Sequence, residues 1–264
     1  MPTLRLGCDG KIARTREWRT SGRADTVGLT EGGTTFASTL PDGWKTPTSA
    51  EIEGAKRLAL AAFKNARLDR YYDVNTDYAG ATFATLGENP TDDIVASDLH
   101  AVTMLSVSVG PRATRRLLEP GPHRQAVRDA LANPALGADT VLANATAADF
   151  EAMWELHLAV KAALSDPHSG SSNPWVTASK LTARKRPHLM PVRDNVVGKA
   201  LGARALGSAS IYWCLFHSLL NDEDVAKAML RAREALASAK PEMLVDTSDV
   251  RLLDAALWMH RARS

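Results

Sequence analysis

The sequence predicts an all-α fold: a helical domain over residues 48–264, preceded by an N-terminal arm, residues 1–47, that is irregular or short-stranded. Three features carry this. Helix caps recur along the chain, with Thr48-Ser49-Ala50-Glu51 forming a capping box and Thr146 pairing with Asp149 in another. Apolar residues after position 48 fall at helical spacing, and no alternating strand pattern of useful length appears there. The arm, by contrast, is rich in Gly, Thr, Arg and Asp and closes on Pro41-Asp42-Gly43 and Pro47. A short strand at Thr34–Phe36 is one reading of it and an irregular segment the other.

The elements follow in order. The box at Thr48 opens a helix over Ile52–Leu68. A connection rich in turn formers, 71–89, carries Tyr71, Tyr72, Tyr78 and Phe83. Thr91-Asp92-Asp93 is expected to start a helix towards Ser106, its carboxylates favoured by the helix dipole. Pro111 and Pro122 sit near two further helix starts, where a missing N–H costs nothing. Thr146 caps Ala147–Leu164, and 166–173 (Asp-Pro-His-Ser-Gly-Ser-Ser-Asn) is a loop. Helices over 174–186, 194–205, 208–220, 222–239 (capped by Asn221) and 248–261 complete the chain.

With 264 residues, 45% hydrophobic and 23% charged, the chain has ordinary globular composition, which excludes collagen-like, coiled-coil and grossly disordered classes. A net charge of +2 excludes the strongly basic balance of an obligate nucleic-acid coat protein. Two distant cysteines, Cys8 and Cys214, form no zinc or iron–sulfur spacing, and the seven histidines make no HxH or HExxH pattern. No metal and no cofactor is therefore expected. No apolar run reaches the roughly 20 residues of a membrane helix, and the first residues lack a secretory apolar core. The expectation is a cytoplasmic protein without a membrane partner.

The informative segment is 173–197: a loop, a basic helix, an exit at Pro187, and Pro191-Val192-Arg193-Asp194 opening the next helix. The pair Thr177-Ala178, the 17 positions from Thr177 to Asp194 and the Pro-Val-x-Asp turn resemble the helix-hairpin-helix DNA glycosylase superfamily. The resemblance covers about 35 residues. It implies a helix-hairpin-helix-like element, DNA as partner and Asp194 as the catalytic carboxylate. Ser172 and Pro174 stand where that family carries glycines, and Val176 where its lyase-active members carry lysine, which points to a monofunctional enzyme. From about Tyr71 onward the chain is also similar to an actinobacterial family of unknown function, through Val-Thr-Ala-Ser-Lys-Leu-x-Ala-Arg-Lys-Arg-Pro-x-Leu-x-Pro-Val-x-Asp.

Each candidate has two readings. Cleaving an N-glycosidic bond builds oxocarbenium character that a carboxylate stabilises, and Asp194 is placed for that; a helix-start Asp is equally an N-cap worth about 1 kcal/mol. Lys180, Arg184, Lys185, Arg186 and Arg193 form a run without an intervening acid, suited to phosphates or to a solvated helix end. The resemblance adds Thr177 to the nucleic-acid contacts. Trp175, Tyr71, Tyr72 and Tyr212 are candidate stacking surfaces for a flipped base, or core. The resulting expectation is a nucleic-acid-binding protein and, in catalytic form, a monofunctional DNA glycosylase; the alternative is a non-catalytic binding or adaptor protein of the same fold.

Overall fold

The structure, a computed structural model, describes residues 40–76, 78–166, 173–239 and 243–261. Thr34–Phe36, most of the 1–47 arm and the loop tip at 167–172 lie outside these. Twelve α-helices and short 3-10 turns make up the described residues, with no strand among them: α1 (Ser49–Asn65), α2 (Leu68–Tyr72), α3 (Ala96–Ala101), α4 (Pro111–Leu118), α5 (Pro122–Leu131), α6 (Ala147–Leu164), α7 (Trp175–Lys185), α8 (Asn195–Leu201), α9 (Ala203–Gly207), α10 (Ala209–Leu220), α11 (Glu223–Ala239) and α12 (Asp249–Arg261).

The caps act as the sequence requires. Thr48 and Glu51 exchange their bonds, the Glu51 N–H donating to Thr48 Oγ1 at 3.3 Å and the Thr48 N–H to Glu51 Oε2 at 2.7 Å. Helix α10, apolar all round, is buried from Ala209 to Leu219 apart from Ser210 and packs against α1, α9, α11 and α12. A second group gathers α4, α5 and α7 on α6. Trp44 joins the two, its ring 5.6 Å from Phe150 on α6 and 5.9 Å from Trp213 on α10.

Three expected boundaries change. Helix α3 starts at Ala96, not at Thr91, because Asp93 turns away from the cap position to form a salt bridge with Arg124 of α5. The single helix expected over 194–205 breaks at Gly202, whose φ of +109° is open to glycine and strained for other residues. Asp222, rather than Asn221, caps α11 through the N–H groups of Asp224 and Val225; the Asn221 amide instead donates to Ala143 O and His217 O.

The largest departure is the basic run, which faces inward. Arg184 is 1% exposed, Lys185 4% and Arg186 3%. Arg184 Nε donates to Asp98 Oδ1 at 2.9 Å, and its other nitrogens donate to Phe83 O, Leu86 O and Glu88 O. Lys185 Nζ pairs with Asp98 Oδ2 and donates to Asn89 Oδ1 and Pro90 O at 2.9 Å each. Arg186 donates to Leu136 O, Thr91 O, Leu131 O and Lys185 O. Carbonyl oxygens of irregular segments that no helix can satisfy thus find their donors here. Replacing Arg184 by Ala leaves Asp98 half-compensated and three carbonyls without this donor. Urea unfolding is expected to show a loss of about 3–5 kcal/mol; a loss below about 1 kcal/mol would mean these cations are solvated.

Candidate functional site

A cleft of about 640 Å³ opens where α2, α7, α8 and α12 meet the 3-10 turns at Ala79–Thr82 and Val102–Leu105. Three rings wall it. Tyr71, Tyr78 and Trp258 lie with centroids 6.1–6.4 Å apart, Tyr78 standing nearly perpendicular to Trp258. Gly80 lets Tyr71 approach: a Cβ there would come within 2.5 Å of the Tyr71 hydroxyl oxygen. Lys180, Asp194, Arg251 and Asp254 bring ionisable groups to the same cleft.

Asp194 is the N-cap of α8, accepting the Val197 N–H on Oδ1 at 2.8 Å. Burial pushes its carboxyl above the usual carboxylate range, opposed by that N–H and by the Lys180 ammonium. Lys180 is held down by burial, with Asp194 acting the other way. Its Nζ donates to Leu105 O at 2.6 Å.

The turn that delivers Asp194 is clamped from both sides by buried side chains. Asp254 Oδ2 accepts the Val192 N–H at 2.7 Å, and Tyr212 donates its hydroxyl to Val192 O at 2.9 Å. Ser179 Oγ accepts the Arg193 N–H at 2.7 Å and donates to Pro191 O at 3.3 Å. The Arg193 guanidinium donates to Leu206 O and lies 4.3 Å over the Trp175 ring. Three consecutive residues, Pro191, Val192 and Arg193, are therefore fixed by buried bonds immediately before Asp194.

Of the residues expected from sequence, the cleft gathers Asp194, Lys180 and Tyr71. Thr177 and Trp175, both partly buried on α7, do not line it. Arg184, Lys185, Arg186 and Arg193, expected to meet phosphates, spend their donors inside the protein, because each carbonyl or carboxylate they serve has lost water to the fold. Tyr72 and Tyr212, expected as stacking surfaces, are fully buried: Tyr72 donates to Asp246 at 3.1 Å, and the Tyr212 ring stacks on Phe216 at 5.0 Å. The cleft residues not anticipated as a site are Tyr78, Arg251, Asp254 and Trp258. The last three share one face of α12 at i, i+3 and i+7, and the signal was there: a charged pair inside the otherwise apolar run Leu252–Met259 and just before it.

Asp254 is fully enclosed, and its Oδ1 has no partner among the described residues. Burial raises its carboxyl from 3.8 to about 8, against the pull of Arg251 and the Val192 N–H. Among the described residues no group of three or more His, Cys, Asp or Glu is arranged to hold a metal ion, and no helix is long and apolar enough to cross a membrane.

Fold and cleft together define an all-α protein with an aromatic, carboxylate-bearing cleft. The chain belongs to the family of unknown function DUF6308, whose model matches residues 65–261 and so takes in every residue of that cleft. No curated protein and no solved structure matches the chain.

The environment of Asp254 has a consequence for stability. Between pH 4 and pH 8 the unfolded chain has released this proton and the folded chain keeps it, so stability falls as pH rises through that window and levels off above it. Asp254→Asn keeps an oxygen for the Val192 N–H but does not titrate. Urea midpoints at pH 5 and pH 8 are expected to differ more in the wild type than in the variant; equal differences would contradict the assignment.

Proposed function

We propose that the cleft receives a nucleobase still attached to its sugar and that the protein is a monofunctional, DNA glycosylase-like hydrolase acting on the N-glycosidic bond. The observation that carries this reading is the Asp194 carboxyl set rigidly in a cleft walled by Tyr71, Tyr78 and Trp258. The rings offer faces and edges to a planar base, with stacking worth about 1–3 kcal/mol per base. A base in a duplex has to leave the stack to reach them.

In the reaction, the bond between C1′ and the base nitrogen breaks and the base departs with the electron pair, taking up a proton. Asp194 faces the positive charge that develops on the sugar. Water adds to C1′ and gives a proton to the carboxylate, which returns it to solvent in place of the one the departing base took from solvent. The raised affinity of Asp194 for a proton, caused by burial, suits it to accepting that proton. Lys180 supplies the charge that keeps the carboxylate ionised beforehand.

A second reading, a non-catalytic nucleic-acid-binding or adaptor protein, is favoured by one observation: Asp194 Oδ1 is already engaged by the Val197 N–H as an ordinary cap.

Free-base release from oligonucleotides carrying a panel of damaged bases separates the two. For the enzyme, Asp194→Asn, which retains a capping oxygen, should lower release by about 10²–10⁴-fold while binding measured by fluorescence anisotropy stays within a few-fold. Binding without release from any substrate, indifferent to Asp194→Asn, would establish the adaptor. Absence of salt-dependent binding to DNA would defeat both.

A further inference from the structure

With residues 184–186 enclosed, a nucleic-acid ligand needs its phosphates held elsewhere. The arginines of α4 supply a candidate. Arg112, Arg115 and Arg116 project from one side of α4 into a groove of about 480 Å³ whose other wall is Pro120, Gly121 and His123 at the start of α5. The side chains of Arg112 and Arg115 are 72% and 74% exposed.

The groove is built on a fixed floor. Arg116 Nε donates to Ala163 O at 2.6 Å and its NH2 group to Ser165 O at 2.8 Å, closing the C-terminal end of α6. This sets the groove beside the point where the chain leaves α6. Arg115 uses Nε for Glu119, at 2.9 and 3.0 Å, and Arg112 uses NH1 for Asp166 at 3.2 Å. A guanidinium carries five N–H donors, so the outer edges of both arginines keep donors for a ligand. Three arginines stand against two carboxylates here, and exposed pairs of this kind contribute about 0–1 kcal/mol, little enough for a phosphate to displace them. The first turn of α5 carries no acidic residue and no side-chain cap, so beyond Pro122, which has no N–H, the His123 and Arg124 N–H groups add to the positive end of the groove.

We propose that this groove is a phosphate site that grips the backbone of a nucleic-acid strand, with Arg112 and Arg115 as its bidentate ligands and Arg116 as the strut that positions α4 against α6. The site rests on the reading of the cleft only for the nature of the molecule that carries the phosphate. Fork-shaped guanidinium groups match two phosphate oxygens at once, which a lysine does not.

The test measures anisotropy of a labelled 15-nucleotide single strand over a salt series, with the wild type, the double variant Arg112→Ala/Arg115→Ala and Asp194→Asn. On a single strand each lost phosphate contact lowers the slope of log K against log salt by about 0.7. The double variant is expected to flatten the slope by about 1.4 and weaken binding at least ten-fold at low salt, while Asp194→Asn leaves the slope unchanged. Both arginines are exposed, and a thermal melt of the variant within a few degrees of wild type checks that the fold is intact. A parallel arm follows the His123 ring resonances by NMR during titration with inorganic phosphate; a saturable shift in the wild type, lost in the double variant, supports the site without any base. A steep wild-type slope that the double variant retains would overturn this proposal and leave the cleft reading standing. A phosphate response at His123 with no base release would do the reverse. No salt-dependent binding of the strand together with no response at His123 would overturn the phosphate site outright.

Discussion

The carboxylate of Asp98 is the constraint on which much of the molecule depends. It is completely buried and meets both Arg184 and Lys185, themselves buried, at the end of α7. A charge removed from water is tolerable only when paired and hydrogen-bonded, and here a carboxylate with its own bond to the Val95 N–H faces two cations. The remaining donors of those cations, with those of Arg186, reach the carbonyls of the 83–91 segment and of residues 131 and 136. Segments that form little regular structure are thus tied to one helix end. That arrangement explains why so cationic a stretch belongs to the interior.

The cleft follows from the same logic one turn earlier on α7. Ser179 and Lys180 lie one turn before the residues that meet Asp98, Ser179 clamping the Pro191–Asp194 turn and Lys180 lining the cleft. Helix α12 supplies the opposing wall, where Asp254 fixes the turn and Trp258 stands beside the tyrosines. A carboxylate intended for chemistry needs a rigid seat, since an ångström of slack can cost orders of magnitude in rate. Asp194 has such a seat, on a cleft of about 640 Å³.

The helical class, the capping boxes at Thr48 and Thr146, and the turn before Asp194 were legible because they are local: a side chain two or three residues away satisfies the backbone. The direction of the basic run was not. A run of cations reads the same whether it meets solvent or a partner about 90 positions distant, and the residues that decide it, Asp98 and the carbonyls of 83–91, carry no mark in sequence. Tyr72 misled for a related reason: its neighbour Tyr71 lines the cleft, and one residue along a short helix turns the next ring to Asp246 in the interior, while Tyr212 belongs to a helix enclosed on nearly every side. Asp93 shows the same effect at a boundary, where a distant arginine outcompeted the helix end for a carboxylate.

Lysine labelling under native conditions, read by mass spectrometry, tests the central claim most directly. Lys185 should resist an amine-reactive reagent that modifies the exposed Lys199 and Lys227 readily, and should gain reactivity only in urea, together with the loss of the fold. Modification of Lys185 at the pace of Lys199 in the native protein would contradict the account, because the ammonium could not then be holding Asp98, Asn89 and Pro90 in the interior.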